Sequence, residues 1–129
     1  MGYSLSGSSS ERAREIRSVL RLSCVPGLGT RGLWRILQRL GSGRRSLEAS
    51  PRELDAAAGK ECGGTLASPG LDRRVRDALY RCRKAEIEIL LWSDEGYPKK
   101  LGHLVDPPPV LFARGRLELL ERPSVTIVG

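Results

Sequence analysis

Two apolar patterns organise the first forty residues. Ile16, Val19, Leu20 and Leu22 recur at helical spacing, and Leu33, Ile36, Leu37 and Leu40 do so again. They predict one helix over about Glu11 to Leu22 and a second over about Thr30 to Leu40, stopped by Gly41-Ser42-Gly43. Between them stands Val25-Pro26-Gly27-Leu28-Gly29-Thr30. Pro26 ends the first helix, because the residue before a proline is pushed out of the helical region. Gly27 and Gly29 accept positive φ and admit a close neighbour, and Thr30 offers an N-cap hydroxyl for the second helix. The pattern reads as helix, tight hairpin, helix. Further on, Ser50-Pro51-Arg52-Glu53 has the form of a capping box with proline at the first helical position. It opens a short helix, Pro51–Ala58, which Gly59 closes. A loop follows through Cys62-Gly63-Gly64. Ser68-Pro69 is the next start signal, and a longer helix over about Leu71 to Ala85 would bury Leu71, Val75, Ala78, Leu79 and Cys82.

The texture changes near Glu86. Ile87 to Trp92 is aliphatic and β-branched without helical period and reads as a strand. Asp94-Glu95-Gly96 is a turn, and Asp106-Pro107-Pro108-Pro109 stiffens the chain into an extended segment. Val110–Ala113 reads as a second strand and Val125–Val128 as a third, followed by Gly129. An apolar strand finishing in glycine is how a dinucleotide-type α/β domain often meets its phosphate loop. Such strands have both faces covered by helices, and too few elements are present here to cover them, which suggests a truncated second domain. The expected organisation is a Ser/Gly-rich disordered tail over residues 1–10, a helical domain over 11–86, and the opening strands of an α/β domain over 87–129.

Charge sharpens the picture. The chain has 129 residues and a net charge of +7, which favours an acidic partner. The nine arginines and two glutamates between Glu11 and Arg45 account for all of that excess, and the remainder is balanced. Arg31, Arg35 and Arg39, four apart, form one stripe on the second helix, and the stripe begins at the hairpin. The amides of Gly27, Leu28 and Gly29, with the free N–H groups at the helix start, would face an anion. A backbone anion nest beside an arginine row suits a phosphate chain and carries no base-specific information. Two plainer readings stand beside this one. Pro-Gly-Leu-Gly is also an ordinary tight loop. An arginine stripe is also an ordinary solvated face, the more so in a chain with 18 arginines and 4 lysines. The coincidence of hairpin and stripe favours phosphate binding.

Other chemistries find little support. Aromatic residues are few (Trp34, Trp92, Tyr3, Tyr80, Tyr97 and Phe112), which argues against a base-stacking platform. No apolar run approaches the roughly 20 residues of a membrane span, and residues 1–10 lack the apolar core of a signal peptide. Cys24, Cys62 and Cys82 show no CxxC spacing, so neither a disulfide framework nor a zinc site is expected, and a reducing cytoplasm fits. His103 is the one histidine, with no nucleophile motif around it. Asp94 and Glu95 read as turn formers. No Walker A, complete GxGxxG or HExxH motif occurs. Neither a catalytic residue nor a cofactor is expected.

Several segments together resemble one known family. They are Leu20-Arg21-Leu22 through Val25-Pro26-Gly27-Leu28-Gly29, then Leu33 to Leu37, and Leu47-Glu48-Ala49-Ser50-Pro51-Arg52-Glu53-Leu54. More specific are Tyr97-Pro98-Lys99-Lys100-Leu101, Asp106 to Gly115, and Val125-Thr126-Ile127-Val128-Gly129. In that order and spacing they resemble the N-terminal part of the DNA-processing protein A family, also called DprA or Smf, over about Glu11 to Gly129. The resemblance implies a mainly α chain: a helix-hairpin-helix (SAM-like) domain followed by the truncated start of a Rossmann-like α/β domain. It implies a cytoplasmic, non-enzymatic protein of natural transformation that protects single-stranded DNA and helps load a RecA-type recombinase. It also implies a homodimer in the full-length protein, formed through the Rossmann-like domain, which holds the main single-strand site. The DNA-contacting residues expected within this chain are Gly27, Leu28, Gly29, Thr30, Arg31, Arg35 and Arg39. The competing expectation is a helical module that binds no DNA and packs against another domain, a second copy or a recombinase.

Overall fold

The apolar periodicity of the first forty residues folds into two helices joined by a tight turn. The computed structural model describes residues 9–129. Helix α1 spans Ser9–Ser23 and α2 spans Gly29–Leu40. They are followed by α3 (Gly43–Glu48), α4 (Pro51–Ala58), a 3-10 helix (Gly63–Ala67) and α5 (Pro69–Lys84). Strand β1 (Glu88–Leu91) and strand β2 (Val110–Ala113) close the order, with short 3-10 helices at Leu101–His103 and Leu117–Glu121. The described chain is therefore mainly helical, with a small two-stranded sheet near its C-terminal end. None of these helices is long and apolar enough to cross a membrane.

The predicted inward faces are the core. Val19, Leu20 and Leu22 of α1, Leu28 of the turn, and Ile36 and Leu37 of α2 are all at most 2% exposed. Burying each such side chain contributes about 1.5–3 kcal/mol. Leu71, Val75 and Cys82 bring α5 onto the same cluster, with Leu79 partly buried against it. The expected capping box of α4 is present in both directions. The Ser50 hydroxyl accepts the Glu53 N–H at 3.2 Å, and the Glu53 carboxylate accepts the Ser50 N–H at 2.7 Å.

Three local expectations need correction, and one helix was not expected. Thr30 is not the N-cap of α2. The Leu28 N–H bonds the Val25 carbonyl at 3.2 Å; Leu28 takes the cap position, and Thr30 falls inside the helix. Ser9 and Ser10, expected in a tail, belong to α1; the rest of that expected tail, residues 1–8, lies outside the described residues. The stretch after Gly41-Ser42, to which the sequence assigned no element, is helical, and its first N–H groups are capped. The carboxylate of Glu15, buried on α1, accepts the N–H of Gly43 at 2.6 Å and of Arg44 at 3.1 Å. Ser42 Oγ accepts the Arg45 N–H at 3.1 Å. Finally, Val125–Val128 forms no strand. A strand exists by pairing with a neighbour, and among the described residues none runs beside it. Val125, Ile127 and Val128 are 86–93% exposed.

The C-terminal part is fastened to the helices. Just past the end of helix α5, Glu86 takes φ +54°, and the Ile87 N–H reaches back to the Cys82 carbonyl at 2.8 Å. Strands β1 and β2 pair antiparallel, from Glu88↔Ala113 to Leu91↔Val110. Ile89 and Leu91 enter the helical core. Arg12 of α1 donates to both carboxylate oxygens of Asp94 (2.7 and 3.3 Å) and to the Ile89 carbonyl at 3.0 Å. Asp94 also accepts the Leu91 N–H, so it shapes its turn, as expected, while anchoring α1. Trp34 and Trp92 meet edge to face with centroids 4.9 Å apart.

Two outcomes follow from these contacts. A Cβ on Gly43 would lie 2.9 Å from the Val19 backbone nitrogen and 2.8 Å from its Cγ2. Gly43→Ala is thus expected to lower the unfolding free energy by about 1–3 kcal/mol, read as a lower urea midpoint at unchanged m-value; an unchanged midpoint would contradict the close α1–α3 approach. The second concerns acid. Asp55 Oδ1 accepts the N–H groups of Cys62 at 2.7 Å and Gly63 at 2.8 Å, and these bonds hold its carboxyl below the ordinary 3.8. A depressed folded-state pKa gives stability that is present above the unfolded value and is lost as pH falls through the folded one. Asp55→Asn is therefore expected to be less stable than wild type at neutral pH, with the two curves converging below pH 3.8. Parallel curves throughout would contradict this role.

Candidate nucleic-acid interface

The turn between α1 and α2 is set by its backbone and anchored by one side chain. The Cys24 N–H bonds the Leu20 carbonyl at 3.0 Å, and the Val25 N–H bonds the Leu22 carbonyl at 3.1 Å. Gly27 and Gly29 take φ of +76° and +69°, values that cost most L-residues about 1–2 kcal/mol. Nothing lies within 4 Å of where a Cβ would stand on either one, so both face open space. Leu28, between them, points the other way and is 2% exposed. Its amide is used by the turn, so of the three loop amides expected to face an anion, that of Leu28 is already engaged. The first N–H groups of α2, those of Gly29, Thr30 and Arg31, have no acceptor within the helix.

The charged side chains divide into two groups. Arg31 and Arg35 line a cleft of about 590 Å³ together with Gly27, Leu28, Gly29 and Thr30. Arg35 lies beside Gly59, its Nη1 3.1 Å from that residue's would-be Cβ. Arg39, at the far end of the stripe, is not on the cleft. Its Nη1 donates to the Ala56 carbonyl at 2.9 Å, near the C-terminal end of α4 where carbonyls are left over and the dipole is negative. Six of the seven expected residues therefore come together, and the seventh is turned to α4.

Two charged residues of the cleft were not anticipated from the sequence. Lys60 Nζ donates to the Gly27 carbonyl at 2.8 Å, bringing a third cation to the turn. Asp106 Oδ2 accepts from Arg31 Nε at 2.8 Å and places one carboxylate at the rim. Lys60 directly follows the glycine that closes α4, a position that helical periodicity does not mark. Asp106 stands 75 residues from its partner, in a segment that reads as stiff but not as facing α2. Arg31, Arg35 and Lys60 against Asp106 leave a cationic cleft, with the dipole of α2 adding partial positive charge. Such a place attracts an anion. Nearby, burial pushes the Cys62 thiol above its ordinary value, so the thiol stays protonated and packs. His103 is exposed.

Neither a curated protein nor a solved structure matches this chain. Residues 88–129 match the family model described as DNA recombination-mediator protein A. The matched stretch holds β1, β2, the Tyr97–Leu101 and Asp106–Gly115 motifs, and Asp106 itself at the cleft. The likeness to the DNA recombination-mediator protein A family is thus carried by residues 88–129, about a third of the chain.

Proposed function

We propose that this chain serves DNA recombination by holding the sugar–phosphate backbone of single-stranded DNA at the α1–α2 turn, read as a helix-hairpin-helix. The observation that carries the proposal is convergence. Two open, positive-φ glycines, the start of α2 and the cations Arg31, Arg35 and Lys60 all border one cleft. The α2 amides supply hydrogen bonds of the kind helix starts give to phosphates, and the side chains supply charge. Leu28 holds the turn in place. Arg39 extends the basic track only by leaving Ala56. Contacts of this kind are independent of sequence and fit the handling of unspecified strands. The wider role is uptake of DNA in natural transformation, protection of the strand and assistance to a RecA-type recombinase. In it, residues 87–129 form the opening of a Rossmann-like domain that dimerises in the full-length protein. The reading places the protein in the cytoplasm and assigns no catalytic step and no cofactor.

A second reading has its own observation. Arg31, Arg39 and Lys60 all have partners within the chain, at Asp106, Ala56 and Gly27. On that reading they are structural clips, and the helices form a packing or protein-contact module without DNA.

Fluorescence anisotropy of a labelled single-stranded oligonucleotide, titrated at several salt concentrations, separates the two. The DNA reading expects salt-sensitive binding. It expects Arg31→Gln with Arg35→Gln to weaken binding about tenfold at low salt and to flatten the log–log slope by about 0.7 for each phosphate no longer neutralised. Unchanged affinity and slope in that variant would remove the turn from the interface. No binding by the wild-type chain at low salt would favour the packing module.

A further inference from the structure

A second concavity, of about 560 Å³, lies between α1 and α5 and is lined by Arg17, Arg21, Leu47, Asp72, Val75 and Arg76 among others. One ion pair crosses it: Arg21 is paired with Asp72 and also donates to the Leu66 carbonyl at 3.1 Å. Arg17 precedes Arg21 by four residues on α1, and Arg76 follows Asp72 by four on α5. Each therefore stands one helical turn, about 6 Å, from the pair. Neither makes an ion pair or side-chain hydrogen bond among the described residues. Their helical neighbours do not compensate them. Residues three and four away from Arg17 are Ala13, Arg14, Leu20 and Arg21; those around Arg76 are Arg73, Leu79, Tyr80 and the already engaged Asp72. Two guanidinium groups without an ion-pair partner thus line one cleft.

We infer that the α1–α5 cleft is a second phosphate-binding site, in which Arg17 and Arg76 together hold a phosphodiester of a nucleic-acid strand. The planar donor forks of arginine match phosphate oxygens. The residues lining the cleft include no aromatic, so the contact is to the backbone and not to a base. The chain's excess positive charge lies within Glu11–Arg45, on α1 through α3, which favours a polyanion over an isolated carboxylate. A strand with regularly spaced charges can also engage the turn that ends α1. The inference rests on the nucleic-acid reading above but on different residues, so the two fail separately.

The test uses the full chain and a fluorescein-labelled oligothymidylate, titrated by anisotropy across a salt series. Three double variants are compared: Arg17→Gln with Arg76→Gln, Arg31→Gln with Arg35→Gln, and the charge-matched control Arg83→Gln with Arg114→Gln. The cleft variant is expected to bind several-fold more weakly at low salt, with a slope flattened by about 0.7, and the control to change much less. The cleft variant's thermal midpoint should not fall, since neither side chain holds a bond within the described residues; a fall would make the two arginines structural and overturn the proposal. An effect equal to the control's would reduce it to the general field and also overturn it. A silent cleft variant beside a weakened turn variant overturns this site and leaves the turn standing, whereas the reverse result keeps the cleft and removes the turn. If a labelled oligoglutamate loses binding in the cleft variant while the oligothymidylate does not, the site belongs to an acidic protein and the proposal falls.

Discussion

The candidate interface depends on the burial of one leucine in a turn. Leu28 sits between two glycines at positive φ and drives its side chain among the core residues of α1 and α2. The glycines then face outward, and α2 begins at Gly29, directly after the buried leucine. This anchoring sets where the first α2 amides point and where Arg31 and Arg35 stand. The energy comes from apolar burial, of the order of 1.5–3 kcal/mol for such a side chain. The anion-facing surface is the other side of a packing solution.

A second constraint is the use of charged groups as fasteners. Glu15 is a carboxylate turned inward, and what it secures is the start of α3. Arg12 holds Asp94, and through it the turn after β1. Arg21 joins α1 to the start of α5. Part of the local arginine excess is thus structural, and net charge alone overstates the surface left for a polyanion. What remains exposed lies at the α1–α2 turn, along α1 and α5, and at Arg44 and Arg45 of α3.

Much of the fold was legible because its signals are local. Helix α4 was bounded at both ends from Ser50, Glu53, Pro51 and Gly59, all within ten residues. The two amphipathic helices before it followed from their apolar spacing, and β2 from four residues in a row. Helix α3 was not read, since its local cap, Ser42, stands in a Gly-Ser-Gly run that reads as a stop, and its other cap, Glu15, comes from α1. Thr30 misled because a side chain that can cap is only an option; the turn geometry had already chosen Leu28. Val125–Val128 has the composition of a strand but no paired neighbour among the described residues. The site divides the same way. The glycines and the stripe could be read along the chain, whereas Lys60 and Asp106 reach the cleft only through the packing of α4 and the run into β2.

The most direct measurement is an amide chemical-shift map of the isotopically labelled chain titrated with a short single-stranded oligonucleotide. The account predicts the largest changes at the amides of Gly27, Gly29, Thr30 and Arg31, diminishing along α2 and suppressed by salt. Changes confined to residues 88–129, with those four amides unmoved at saturation, would contradict it.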